Sequence, residues 1–285
     1  MAETSTERSQ SLQSLERGMA VIQVFSRERP ALTLSEVARL TDMTRATARR
    51  ILLTLENLGH VRSDGRLFHL TPRVLSLGWA YLSSLDLWEV AQPLMEELVD
   101  QTKESCSAAT LDLPDVVYVL RIPTRRIMTI SLSVGSRLPA HPTAMGRILL
   151  AGLPDEDLDE YVATTPLEPY TERTITDPAA FRDEIERVRE RGWAFVDQEL
   201  EIGLRSIAAP ISGHDGRTIA ALNTSASAPR ASVEDFHERF LPALLDTADA
   251  ISTSLRRTPA ARLIQDSSGS SRRRRAVKDG ETVRA

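Results

Sequence analysis

Between Thr33 and Leu58, in TLSEVARLTDMTRATARRILLTLENL, two helical patterns stand with only a two-residue turn between them, and no other stretch limits the fold so tightly. The first runs from about Ser35 to Thr41, with Leu34, Val37, Ala38 and Leu40 as its apolar positions. Asp42 and Met43 make the turn. Thr44 opens the second helix as an N-cap whose hydroxyl accepts from the backbone N–H of Ala46 or Thr47. Ala48, Ile51, Leu52, Leu55 and Leu58 then fall on one face. Gly59 ends the helix where a left-handed cap has no room for a Cβ. Ala38 is small where the helices must touch, and Ala48 and Ile51 point back at it, which marks the pair as a helix-turn-helix. The outward face carries Arg45, Ala46, Arg49 and Arg50, the shape and charge of a helix that lies in the DNA major groove.

Arginines on a helix exterior are by themselves an ordinary solvated face. The residues after the helix decide otherwise. His60–Ser63 and Leu67–Leu70 alternate polar and apolar residues around the hairpin turn Asp64-Gly65, with Arg62 and Arg66 on the ribbon. Two helices joined directly to such a hairpin make a winged helix-turn-helix. Charge agrees with this placement. Residues 1–82 hold 11 Arg, no Lys and 8 acidic residues, whereas residues 83–262 hold 18 basic and 29 acidic ones. A polyanion would be repelled by the second part, so DNA contact belongs to the first.

At 285 residues the chain is long enough for two domains, and 41% hydrophobic residues can fill two cores. The polar start MAETSTERSQ has no apolar core of a signal peptide and no run reaches membrane-span length, which predicts a cytoplasmic protein without membrane contact. The single cysteine, Cys106, excludes an internal disulfide framework and a multi-cysteine zinc site.

Taken in order, residues 1–11 are polar and predicted disordered. Ser14–Ser26 is a supporting helix capped by Ser14, with Leu15, Met19, Ile22 and Val24 or Phe25 at helical spacing and Arg17 at its exposed start, a phosphate contact or a plain surface residue. Residues 27–31 form a loop around Pro30. Thr71-Pro72 opens a helix whose Val74, Leu75, Leu77, Trp79, Tyr81 and Leu82 exceed what one buried face needs, so it reads as a linker that also pairs with a second subunit. Trp88–Glu104 is amphipathic, with Val90, Leu94, Leu98 and Val99 inward and Pro93 near its first turn. Strands are predicted at Ser107–Leu111, Val116–Ile122 and Ile127–Val134, then a loop at Leu138–Pro142. Helices come next at Thr143–Ala151, Asp155–Ala163 and Pro178–Arg191. Three more strands, Trp193–Val196, Arg205–Ile211 and Thr218–Ala226, precede a long closing helix, Ser232–Arg257, with Leu245 among its inward positions. Such a mixture of helices and antiparallel strands predicts an α+β sensor-like domain. Past Ala261 the pattern is Ser, Gly and charge, a disordered tail whose Arg272–Arg275 run adds at most nonspecific attraction to DNA.

Several blocks, in order, resemble the IclR family of bacterial transcriptional regulators: SLERGMAVIQVF, LTLSEVARLTDMTRATARRILLTLENLGHV, FHLTPRVLSLG, SVGSRLPAHPTAMGRILLAGL, RGWAFVDQELEIGLRSIAAPI and the final helix. The segment YVLRIPTRRIMTISLSVGSRLPAHPTAMGRILLAGL is similar, more narrowly, to the subgroup controlling aromatic acid breakdown through the β-ketoadipate pathway. The resemblance implies an N-terminal winged helix-turn-helix (residues 12–72), a helical linker (73–86), a GAF-like α+β effector-binding domain (87–257) and a disordered tail (258–285). It further implies assembly as a homodimer or dimer of dimers on double-stranded operator DNA. The implied effector is a small organic acid: protocatechuate, 4-hydroxybenzoate or β-ketoadipate. Control by a protein partner or another metabolite is the alternative. Asp42 departs from the Gly common in such turns, yet Asp tolerates a left-handed backbone.

The DNA-facing set is thus Arg17, Ser35, Thr44, Arg45, Ala46, Thr47, Arg49, Arg50, Arg62 and Arg66. An acid inside an apolar domain needs a cationic anchor, because a buried unpaired charge is too costly to persist. Arg121 on the second strand and Arg137 are the candidates, with Ser131, Ser133 and Thr143 nearby and the helix start at Thr143, Ala144 and Met145 offering free backbone N–H groups. The resemblance adds Asp197, Glu199, Asn223 and Ser225 to the lining. No catalytic or metal site is expected. The five histidines show no ligand spacing, no nucleophile elbow or phosphate loop is present, and the acidic pair Asp197 and Glu199 lacks a partner nucleophile, so neither catalysis nor a cofactor is predicted.

Overall fold

Thr33 begins the helix-turn-helix with a reciprocal cap: its Oγ1 accepts from the Glu36 N–H, and the Glu36 carboxylate accepts from the Thr33 N–H at 2.8 Å. The structure, a computed structural model, describes residues 12–26, 28–82, 87–124 and 132–257, the side chains at 79–82 and 87–88 excepted. Two units divide at Tyr81 and Leu82. The first contains α1 (Gln13–Gln23), β1 (Ala31–Thr33), α2 (Leu34–Leu40), α3 (Arg45–Asn57), β2 (Val61–Ser63), β3 (Leu67–Leu70), one 3-10 turn at Pro72–Val74 and α4 (Leu75–Leu82). Asp42 takes φ +50° and lets the Met43 N–H reach the Ala38 carbonyl at 2.9 Å, so the chain reverses within two residues. Gly59 closes α3 at φ +79°, with the Arg73 side chain 3.2 Å from where a Cβ would stand.

The core of this unit is Val21, Leu32, Val37, Ala38, Ala48, Leu52, Leu55 and Val61, with Ile51 half-buried beside it. Four expectations change. Leu58 is 54% exposed because it is already the C-cap of α3. Leu15 and Met19 are also exposed. Leu12, not Ser14, precedes α1, and it makes no side-chain cap. Ala31 belongs to a strand rather than to the expected loop: Ala31–Thr33 pairs antiparallel with Leu67–His69, so the wing is a three-stranded sheet of order β1-β3-β2.

The second unit is α5 (Leu87–Thr102), β4 (Ser105–Asp112), β5 (Asp115–Ile122), β6 (Arg137–Pro139), α6 (Ala144–Ala151), α7 (Asp155–Thr164), α8 (Pro178–Arg191), β7 (Ala194–Asp197), β8 (Leu204–Ser212), β9 (Thr218–Ser227), α9 (Val233–Asp235), a π-helical turn Phe236–Phe240 and α10 (Leu241–Arg257). Its six strands pair antiparallel in the order β6-β5-β4-β9-β8-β7. Both faces are covered. On one, Cys106, Ala108, Ile207 and Leu222 pack against Met95 and Leu98 of α5 and Leu244 and Ile251 of α10. On the other, Ala109, Tyr118, Ala208 and Ala221 pack against Met145, Ile148, Phe181 and Ile185 of α6 and α8. Gly146 lets α6 fold back closely on the loop that precedes it, because a Cβ there would stand 1.9 Å from the Ala140 carbonyl oxygen.

Here too the structure departs from the sequence pattern. Pro93 sits inside α5, past its first turn, since the helix starts at Leu87. Leu132–Val134 form no strand, and pairing resumes instead at Arg137–Pro139, after a turn in which Gly135 adopts φ +87°. The expected strand at 127–130 and Ser131 lie outside the described residues, as do the segments 1–11 and 258–285 and the side chains of Trp79, Tyr81 and Leu82. The closing helix is not one continuous α-helix. Its π-turn inserts an extra residue, keeping Phe236, Phe240, Leu244, Ala248, Ile251 and Leu255 buried while Leu245 is 37% exposed. No helix among the described residues is long and apolar enough to cross a membrane, and no cluster of metal-ligating side chains is found among them.

Candidate functional site

In the first unit, Thr44 caps α3 by accepting from the Thr47 N–H at 3.2 Å, and the two hydroxyls stand 3.0 Å apart. Burial of Ala48, Leu52 and Leu55 fixes the rotation of the helix, so Arg45, Ala46, Arg49 and Arg50 are exposed and Thr47 half-buried. Arg45 and Arg49 lie about one turn apart on the same face. Ser35 is exposed at the start of α2, and Arg17 is half-buried on α1. On the wing, Arg62 of β2 and Arg66 beside the turn are exposed. The Asp64 carboxylate shapes that turn by accepting from the N–H groups of Leu67 (2.7 Å) and Arg66 (3.0 Å), which hold its pKa below the usual aspartate value. Among the described residues, none of Arg45, Arg49, Arg50, Arg62 and Arg66 has an ion-pair partner, so their charge is uncommitted.

The second unit encloses a cavity of about 230 Å3 between the sheet and α6. Arg121 reaches it through a β-bulge. Ala109 stands opposite Tyr118 but Ala108 opposite Leu120, so β5 carries an extra residue at Val119. Simple alternation would send Tyr118 and Arg121 to opposite faces, and the inserted residue returns both to the cavity. The guanidinium donates to Ser107 Oγ at 3.1 Å and has no carboxylate partner among the described residues. Burial pulls its pKa below the ordinary arginine value, with Tyr118 and Cys106 partly opposing. An arginine nonetheless stays protonated. The result is a cation held where water solvates it poorly. The Tyr118 hydroxyl, in turn, is pushed up to about 12 by burial, against the pull of Arg121.

Next along the sheet floor, Asn223 accepts from the Ser107 N–H (3.1 Å) and donates to Ser206 Oγ (3.1 Å) and Ser225 Oγ (3.0 Å). Thr143 caps α6 by accepting from the Gly146 N–H, and Thr143, Ala144 and Met145 line the cavity. Of the residues named from sequence, the structure therefore brings together Arg121, Thr143, Ala144, Met145, Asn223 and Ser225. Four others stand elsewhere. Arg137 is held outside by Asp115 (3.0 Å) and Asp112 (2.5 Å), which leaves no charge for a ligand. Asp197 is bound by Arg205 (2.7 Å) and Arg173 (2.5 Å); burial is the largest single influence and raises its pKa, but these contacts outweigh it and the net shift is downward. Glu199 is buried against Arg147 at 2.5 Å, away from the lining. Ser133 faces Ser136 in an exposed turn. Sequence reading misses Ser105, Tyr118, Leu138, Glu201 and Ser206. The parity of Ser206 with Ala208 along β8 is a usable signal, whereas Glu201 sits in a loop without periodicity.

An arginine-faced winged helix-turn-helix on a chain whose second unit encloses a cavity defines a two-domain DNA-binding regulator. Two family models match: the IclR helix-turn-helix domain over residues 14–65 and the bacterial transcriptional regulator IclR C-terminal domain over residues 79–253. The chain belongs to the IclR family of transcriptional regulators. It is 47% identical to the Pca regulon regulatory protein of Pseudomonas putida, across 81% of this chain and 80% of that protein. It is 36% identical to the p-hydroxybenzoate hydroxylase transcriptional activator of Acinetobacter baylyi, across 83% and 89%. A crystal structure of an IclR homologue from Microbacterium hydrocarbonoxydans in complex with 4-hydroxybenzoate is similar at TM-score 0.78 and 27% identity, covering 86% of this chain and all of that one.

Proposed function

We propose that this regulator answers to a small organic acid, protocatechuate, 4-hydroxybenzoate or β-ketoadipate, bound in the cavity, and thereby controls aromatic acid breakdown from the cytoplasm. The observation that carries the reading is Arg121, a half-buried guanidinium facing the cavity with no carboxylate partner among the described residues. A ligand carboxylate offsets the cost of holding that charge out of water. Size agrees, since a cavity of about 150 Å3 already holds benzene, and about 230 Å3 leaves room for a ring with polar substituents. Ser206, Asn223 and Ser225 supply polar contacts, and Met145 an apolar wall. The relatives' names point to the same chemistry.

On DNA, Arg45 and Arg49 read base edges, with Ser35, Thr44, Ala46, Thr47 and Arg50 completing the groove contact and Arg17, Arg62 and Arg66 on phosphates. One recognition helix reads a short half-site, so two copies act together on a palindrome. The exposed Leu75 (75%) and Leu77 (48%) of α4 give them apolar surface to share. Isothermal titration of the full chain with these acids tests the effector reading. Binding at micromolar strength is expected, with Arg121→Met weakening it at least about tenfold while thermal unfolding is unchanged without ligand. Absence of binding by all three acids, or equal affinity in the variant, overturns it.

A further inference from the structure

Glu201 lines the same cavity from the loop between β7 and β8, and it is exposed. Its carboxylate has no hydrogen-bond or ion-pair partner among the described residues; only its backbone carbonyl is used, accepting from the Leu204 N–H at 3.1 Å. The loop itself is firmly held. Two residues earlier, the Glu199 side chain is tied to Arg147 and to the Ile175 N–H (3.2 Å), and its carbonyl accepts from Thr174 Oγ1 at 2.6 Å. Gln198 at φ +63° then receives the Gly203 N–H on its side chain at 2.9 Å, closing the loop on itself. Glu201 is thus displayed on a fixed frame.

Arg121 and Glu201 enter from different parts of the sheet. Arg121 is on β5, and Glu201 precedes β8, with β4 and β9 between those strands. Three strand spacings of about 4.8 Å separate β5 from β8, and the two charges form no ion pair. The cavity therefore has a cationic end and an anionic one. A cation alone would accept any carboxylate. The second charge discriminates: it accepts a hydrogen bond from a donor on the far end of the ligand and repels a second carboxylate there.

We propose that Glu201 is the specificity-determining residue of the cavity, selecting an acid that carries a hydroxyl opposite its carboxylate and rejecting a dicarboxylate. The proposal rests on the reading of Arg121 as the carboxylate anchor. It places hydroxybenzoates ahead of β-ketoadipate as ligands. The full-length parent and Glu201→Gln are titrated with 4-hydroxybenzoate, benzoate and terephthalate, which share one carboxylated ring and differ only in the opposite substituent. The parent should prefer 4-hydroxybenzoate to terephthalate, and the amide should cut that preference about five- to twentyfold, the range from a screened to a well-formed charge-assisted contact. Benzoate affinity should stay the same in both. An unchanged preference overturns the role of Glu201 and leaves Arg121 standing, as does a benzoate loss parallel to that of 4-hydroxybenzoate. A parent that binds none of the three overturns the anchor, and this inference with it.

Discussion

Arg121 and Arg147 are both drawn out of water in one domain, and their partners give them opposite meanings. Arg147 is 2% exposed and fully engaged, with Glu199 at 2.5 Å, the His141 carbonyl at 3.1 Å and Glu184 at 3.9 Å, so it binds the β7–β8 loop to α6 and α8. Arg121 has only the Ser107 hydroxyl and the cavity before it. Nearby His141 is 1% exposed, with Nε2 donating to the Glu168 carbonyl at 3.1 Å and a buried Nδ1 that has no partner among the described residues. Burial depresses its pKa below the ordinary 6.5; Arg147 acts in the same direction, while the Glu168 carbonyl and the charges of Glu199 and Glu168 oppose. Well above 6.5 the ring is neutral in both folded and unfolded chains. As pH falls below that value the unfolded chain takes up a proton that the folded one resists, so stability is lost on acidification. The unfolding temperature of the parent should therefore fall more between pH 7.5 and 5.5 than that of His141→Gln, a window of about one unit either side of the ordinary histidine value. Identical pH dependence in calorimetry would show that His141 does not contribute.

At the level of elements, the proposed contacts divide the work on DNA between α3 and the wing. Arg49→Ala should cost about 1 to 3 kcal/mol on the preferred duplex and relax specificity, whereas Arg66→Ala should weaken all sequences alike and reduce the salt slope by about one. Fluorescence anisotropy on selected and random duplexes separates the two, and equal losses for Arg49→Ala on both would contradict the assignment. The helix-turn-helix is legible in sequence because its signals are local: Thr44 as cap, Asp42 and Gly59 at positive φ, and apolar residues at helical spacing. β1 is not, since three residues whose pairing lies 34 to 38 positions away carry no pattern of their own. In the second unit the strands can be read from alternation, but not the bulge at Val119 that decides where Arg121 points. Arg137, from its charge, and Glu199, from the family resemblance, both look suited to the ligand site. Their ion pairs with Asp112, Asp115 and Arg147 arise only from long-range folding.

Across the whole molecule, a basic winged helix-turn-helix and an acidic α+β domain share one chain. Ligand control requires that the acid bind the DNA-competent and incompetent states unequally, because a ligand with no such preference shifts nothing. The direction of the shift separates a repressor from an activator, and its size is the coupling energy between cavity and DNA. The most direct measurement is the affinity of the full chain for a duplex selected from a random pool, with and without saturating 4-hydroxybenzoate or protocatechuate, for the parent and for Arg121→Met. One of these acids should change the parent's DNA affinity about fivefold or more, and the variant should bind DNA as the parent does but ignore the acid. An acid that binds the parent without altering its DNA affinity, or a variant that responds as the parent does, would contradict it.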